Sequence, residues 1–102
     1  MKVSKSFEVF AKEAPEVHSA WMETVHKLFT ASKLDKKTEE LAYIAVMAAT
    51  RLESGLPFHV TMAKTNGATR EEIISAILVG LPAVGNTVIS ALPVALEAYD
   101  KV

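Results

Sequence analysis

Two side chains that can transfer protons stand near the middle of the chain. Glu40 directly precedes a run of apolar residues, and His59 follows Pro57 by two positions. A carboxylate that enters an apolar helix is costly to bury unless it is paired, and an imidazole on a neighbouring helix is a suitable partner. Together they would form an acid/base pair suited to proton transfer.

A simpler interpretation of the same two residues exists. Glu40 could stay in water beside Lys36 or Lys37, while His59 merely satisfies the end of a helix. The spacing alone favours this interpretation, because charged residues are rarely buried without a partner. A contact between two helices is a matter of tertiary structure, so both interpretations stay open here.

Other kinds of site have weaker support. Glu23 and His26 have the Glu-x-x-His spacing of di-iron bundles, but such sites need a second pair and further carboxylates. His18 and His26 would lie roughly 12 Å apart along a helix, too far to share an ion. We expect no metal and no other cofactor. No glycine-rich phosphate loop and no nucleophile elbow around a serine is present.

Composition excludes several classes of function. The chain has no cysteine, so a thiol, a disulfide or a thiolate metal ligand is impossible. Its 11 basic and 12 acidic residues nearly cancel, and neither sign forms a block, so nucleic acid is not an expected partner. We find no signal-peptide pattern and no apolar run approaching about 20 residues, which predicts a cytoplasmic protein without a membrane partner.

Helical patterns occupy most of the chain. Half of the residues are hydrophobic, only 7% are aromatic, and no segment alternates as a strand would. We therefore predict one domain over residues 1–102, an all-α bundle of five or six helices. The predicted helices cover residues 4–12, 15–30, 36–51, 57–65, 70–81 and 86–99.

Caps and breakers set these limits. Asp35 is a suitable N-cap, the segment from Thr69 to Glu72 has the pattern of a capping box, and Gly67 suits a left-handed helix end. Asn86 is predicted to cap the last helix. Pro93 is predicted to bend that helix.

The third helix is apolar on all sides. Residues 41–49 contain no charged side chain, and a chain of 102 residues offers few other helices to cover them. An oligomer whose interface shares this helix is the economical prediction, and a central helix in a monomeric bundle is the alternative.

Two segments resemble the carboxymuconolactone decarboxylase family, which includes the alkylhydroperoxidase D-like proteins. The similarity extends over about residues 15–100. It includes Lys37-Thr38-Glu39-Glu40-Leu41, and it is sharpest in Gly67-Ala68-Thr69-Arg70-Glu71-Glu72-Ile73 and in the separation of Glu40 from His59. The resemblance implies an all-helical fold whose protomers assemble as homotrimers or homohexamers around the central helices.

The peroxidase branch of that family carries a Cys-x-x-Cys-x-x-x-His motif with a glutamate upstream. By resemblance, Glu40 and His59 are its proton-relay glutamate and histidine. The two cysteine positions correspond to Leu52 and Gly55. Since neither residue can be oxidised, the resemblance implies that thiol peroxidase and disulfide reductase activities are absent.

The decarboxylase branch also lacks the cysteine pair, keeps the histidine and acts on a carboxylated lactone. Charged residues precede its histidine, whereas residues 52–58 here contain only Glu53 as a charge. The resemblance implies a non-redox acid/base enzyme for a small organic acid or lactone, a carboxy-lyase or lactone-processing enzyme. His59 and Glu40 would be catalytic, and Glu53 and Phe58 would bind substrate. The alternatives are a non-catalytic oligomeric binding or scaffold protein and, less favoured, an alkylhydroperoxidase-type antioxidant protein.

Overall fold

The computed structural model describes residues 3–102, and within that range it contains helices and no strands. The all-α class is therefore confirmed. The helices are α1 (Lys5–Glu13), α2 (Pro15–Ala31), α3 (Lys36–Thr50), α4 (Leu56–Thr65), α5 (Arg70–Leu78), α6 (Leu81–Val84) and α7 (Ala91–Lys101), with 3-10 segments at Glu53–Gly55 and Gly85–Ser90. Helix α5 ends at Leu78 instead of at residue 81, and the short helix α6 follows it where the sequence predicted the end of that helix and a gap before the next one.

Described residues before Asp35 form one compact unit, which contains α1 and α2. The Ser4 hydroxyl accepts a hydrogen bond from the Phe7 backbone N–H at 3.2 Å and so caps α1. The His18 ring packs edge-on against the rings of Phe7 and Phe10, at centroid distances of 5.2 and 5.3 Å. No residue of α1 or α2 is buried, and the exposed apolar side chains of α2 include Val17, Trp21 and Leu28.

Residues 35–102 form the second unit and contain the buried core. The largest fully buried side chains come from α3, α4, α5 and the second 3-10 segment: Ile44, Leu56, Val60, Ile73, Ile77 and Val88. Small residues fill the crossings with α7, where Ala91 and Ala95 are fully buried. The core of this unit therefore depends on aliphatic packing between helices.

Helix α3 begins and ends with recognisable caps. The Asp35 carboxylate accepts hydrogen bonds from the Thr38 backbone N–H and hydroxyl, both at 2.9 Å. At the other end Arg51 is in the left-handed conformation with φ 61°. One side of the helix is buried, but Tyr43 and Val46 on the other side are 41% and 60% exposed. Part of the apolar surface of α3 thus remains accessible to solvent.

The left-handed glycine and the capping box that were predicted between α4 and α5 are confirmed. Gly67 has φ 95°, a left-handed value that suits a glycine after the end of α4. Thr69 and Glu72 form the reciprocal capping box: the Glu72 backbone N–H donates to the Thr69 hydroxyl at 3.1 Å, and the Thr69 backbone N–H donates to the Glu72 carboxylate at 2.9 Å.

The predicted start of the last helix is wrong. Asn86 lies inside the 3-10 segment Gly85–Ser90, and α7 begins only at Ala91. Pro93 consequently lies in the first turn of α7, where backbone N–H groups have no partner within the helix. A proline there removes no helical hydrogen bond and gives no reason for a bend.

The expectation that no apolar run approaches about 20 residues also needs correction. No residue between Glu72 and Glu97 is charged, and Arg70–Lys101 is long and apolar enough to span a membrane, with a mean hydropathy of 1.9 in its best window. This is weak evidence for a span, because a turn at residues 79–80 and the 3-10 segment interrupt the regular helix. The compact packing of residues 35–102 is that of a soluble protein.

Candidate functional site

Helices α3 and α4 bring Glu40 and His59 into direct contact. The His59 Nδ1 and Glu40 Oε1 atoms are 2.8 Å apart. Glu40 is only 8% exposed, and the His59 side chain is 17% exposed. The interpretation in which Glu40 stays solvated beside a lysine is wrong. Lys37 instead pairs with Glu72, with 2.9 Å between Nζ and Oε2.

The tautomer of His59 is assigned from the chemistry of its partner. With Glu40 as a carboxylate, which can only accept hydrogen bonds, the tautomer that fits the contact has the proton on His59 Nδ1 and donates it to Glu40. In the neutral imidazole, Nε2 then carries the free lone pair. The pair can therefore take up a proton at Nε2, and the Glu40 carboxylate stabilises the imidazolium that results.

Two aromatic side chains enclose the imidazole. The Tyr43 ring stacks on it, with centroids 4.2 Å apart and an angle of 20° between the planes. The Phe58 ring contacts it edge-on at 5.1 Å and 75°. Tyr43 was not among the predicted site residues. Its position three residues after Glu40 could have indicated it, because residues at this spacing share a helix face.

Glu53 takes part in a different interaction. Its Oε2 accepts a hydrogen bond from the Ser90 hydroxyl at 2.6 Å, which joins the two 3-10 segments. The structure thus brings Phe58 to His59, whereas the observed partner of Glu53 is Ser90. Substrate-binding roles for Glu53 and Phe58 stay predictions.

The two positions that correspond to cysteines in the peroxidase branch have different surroundings. Leu52 is exposed. A Cβ atom added at Gly55 would lie 2.6 Å from Met47 Cε, so the flexible end of Met47 fills the space that a side chain at Gly55 would need. Any larger residue at position 55 would displace that methyl group.

The other candidate residues lie in the N-terminal unit. Glu23 pairs with Lys27, with 3.1 Å between Oε1 and Nζ, and His26 is exposed. Within residues 3–102 no group of three or more histidine, aspartate or glutamate side chains could share a metal ion.

Comparisons with known proteins identify the family and support the fold. Residues 15–97 match the sequence model of the carboxymuconolactone decarboxylase family. The chain belongs to this family. The fold is similar to the crystal structure of the apo form of a carboxymuconolactone decarboxylase family protein from Legionella pneumophila, with a TM-score of 0.79 and 27% identity. That match covers 94% of this chain and 86% of the Legionella chain. No curated protein matches the sequence significantly.

Proposed function

We propose that this member of the carboxymuconolactone decarboxylase family is a non-redox acid/base enzyme that acts on a small organic acid or lactone. The observation that supports it is the buried 2.8 Å contact between His59 Nδ1 and Glu40 Oε1. His59 moves the proton at Nε2, and Glu40 holds the tautomer and balances the charge. The chain has no cysteine, so no step uses a thiol.

The chemistry that suits this pair is proton transfer next to a carbonyl group. In decarboxylation of a β-keto acid, the bond between the α-carbon and the carboxylate breaks, carbon dioxide leaves, and the electron pair forms an enolate. The His59 imidazolium then donates its Nε2 proton to the α-carbon, and the neutral imidazole regains a proton from water before the next turnover. In a lactone rearrangement, neutral His59 takes a proton from one carbon, and the imidazolium that results gives this proton to another carbon of the same molecule. Glu53 and Phe58 are proposed to contact the substrate.

The test is a screen of lactones and β-keto acids with matched variants. His59→Asn keeps an N–H donor for Glu40 near the position of Nδ1 and removes Nε2, so turnover should fall by about 10²-fold or more. Glu40→Gln should lower turnover by about tenfold or more, because an amide no longer balances the imidazolium charge.

Two substitutions serve as controls. Glu39→Gln makes the same change at the neighbouring position, and His26→Ala removes an exposed histidine of the N-terminal unit. Both should keep wild-type turnover. No turnover of any compound, together with ligand-induced melting shifts that His59→Asn leaves unchanged, would instead identify a non-catalytic binding or scaffold protein.

We also propose that the protein works in the cytoplasm as a homotrimer or homohexamer. The support is the apolar surface that α3 exposes at Val46, whose side chain is 60% exposed. Burying such a face against a second copy removes apolar surface from water.

A further inference from the structure

We propose that Tyr43 is a positioning residue for His59, and that its ring fixes the plane of the imidazole and hence the direction of Nε2. This inference rests on the proposed role of His59 as the proton-transfer group. It concerns a residue that the resemblance to the family did not indicate.

The hydrogen bond to Glu40 is insufficient to orient the imidazole by itself. One bond between Nδ1 and Oε1 restrains the χ1 and χ2 torsions of His59 at a single ring atom, and a rotation of the ring about χ2 can still break it. The direction of Nε2 depends on this rotation. A contact on the ring face is needed to remove it.

Tyr43 supplies that contact. The angle of 20° and the centroid distance of 4.2 Å describe two nearly parallel rings in van der Waals contact. The Phe58 ring contacts the imidazole edge-on from a second side, with the two ring centroids 5.1 Å apart. Rotation of the imidazole about χ2 would drive its edge into the Tyr43 ring.

The position of Tyr43 on α3 fixes the geometry of its contact with the His59 ring. Glu40 and Tyr43 are one turn apart on the same helix, so one rigid element sets both the hydrogen bond and the stacked face. The neighbouring Ile44 is fully buried in the core, whereas Tyr43 is 41% exposed. Much of the Tyr43 ring thus lies outside the core, at the edge of the unit, where it covers a face of His59.

Tyr43→Leu and Tyr43→Phe test the proposal, first without any substrate. Nitrogen-15 NMR of the histidine rings reports which ring nitrogen carries the proton and how fast the Nδ1–H proton exchanges with water. With leucine we expect a mixture of tautomers and an exchange at least about tenfold faster, because the ring can now leave the bond to Glu40. With phenylalanine, which keeps the stacked face, the spectrum should match that of the wild type.

Turnover of whichever compound the screen identifies gives the second readout. Tyr43→Leu should lower kcat by about tenfold with little change in KM, and Tyr43→Phe should stay within about twofold of the wild type. Leu34→Ala is the control, since it shortens an exposed apolar side chain outside α3 to which no role is assigned.

Three results would overturn the proposal: an unchanged tautomer and exchange rate in Tyr43→Leu, an equal loss in Tyr43→Phe, or the same change in Leu34→Ala. If the wild type turns over no compound, the proposed function fails. The nitrogen-15 spectra still decide whether Tyr43 holds His59.

Discussion

The carboxylate of Glu40 is enclosed by helices and has one observed partner, the imidazole of His59. Desolvating a charge costs several kcal/mol, so a buried pair adds little net stability although each member depends on the other. A contribution to the stability of the fold therefore explains the pair poorly, and a role in function explains it better.

A double-mutant cycle tests this view. His59→Leu leaves the buried Glu40 without its partner and should lower the free energy of unfolding by about 3 kcal/mol. Glu40→Leu combined with His59→Leu should cost clearly less, because no charge is then left uncompensated. Urea unfolding followed by circular dichroism measures both variants. A double variant that is less stable than His59→Leu would show that the pair itself stabilises the fold.

At the scale of single elements, α5 depends on a well-formed capping box. Thr69→Ala removes the hydroxyl that accepts from the Glu72 backbone N–H and should lower the free energy of unfolding by about 1 kcal/mol. Thr65→Ala is the control, since the Thr65 hydroxyl only donates to the Thr61 carbonyl within α4. Thermal unfolding should place the control within about 0.5 kcal/mol of the wild type.

Helix caps and one surface ion pair also make stability depend on pH. The backbone hydrogen bond from Thr38 lowers the pKa of Asp35 from its usual 3.8. The hydrogen bond from the Thr69 backbone lowers the pKa of Glu72 from 4.5, and the Arg70 guanidinium lowers that of Asp100 from 3.8. Each folded carboxyl binds its proton less readily than the unfolded one.

The sign of the pH effect follows from these lowered pKa values. The three carboxylates stabilise the folded protein above their unfolded pKa values, and this stabilisation is lost as the pH falls through the lower folded values. Unfolding in urea at several pH values below about 5 should show the loss. Asp35→Asn should be less stable than the wild type at neutral pH, and the difference should shrink in acid. A difference that stays constant would contradict the assignment to Asp35.

At the scale of the whole molecule, the unit of residues 35–102 has a buried aliphatic core and an apolar face on α3 that is partly exposed. Tyr43 and Val46 lie on this face of α3. Large exposed apolar side chains also occur between α5 and α7, at Val79, Leu81, Val84 and Ile89. Such surfaces favour association with another chain.

Self-association through α3 can be measured directly. The wild type should sediment as a trimer or hexamer in analytical ultracentrifugation. Val46→Lys would place a charge in the shared interface and should shift the protein to smaller species, since a buried charge without a partner is costly. Thr65→Lys, at an exposed site near the end of α4, should leave the assembly intact. A wild type that sediments as a monomer would reject the proposal.

The sequence alone determined the features that depend on near neighbours in the chain. The Asp35 cap, the left-handed Gly67 and the capping box at Thr69 are satisfied within a few residues, so their pattern was sufficient to predict them. The absence of cysteine likewise excludes thiol chemistry whatever fold the chain adopts. The start of α7 was missed because the weak preferences of Asn86 and Pro93 were overridden by the local 3-10 segment.

Only the tertiary structure decided the state of the candidate site. Spacing gave two interpretations for Glu40 and His59, a solvated acid or a paired one, and the packing of α3 against α4 selected the paired one. It also added Tyr43, which no motif indicated. The physical reason is that burial and long-range contacts arise from how helices pack, whereas a helical sequence pattern specifies only which residues share a face.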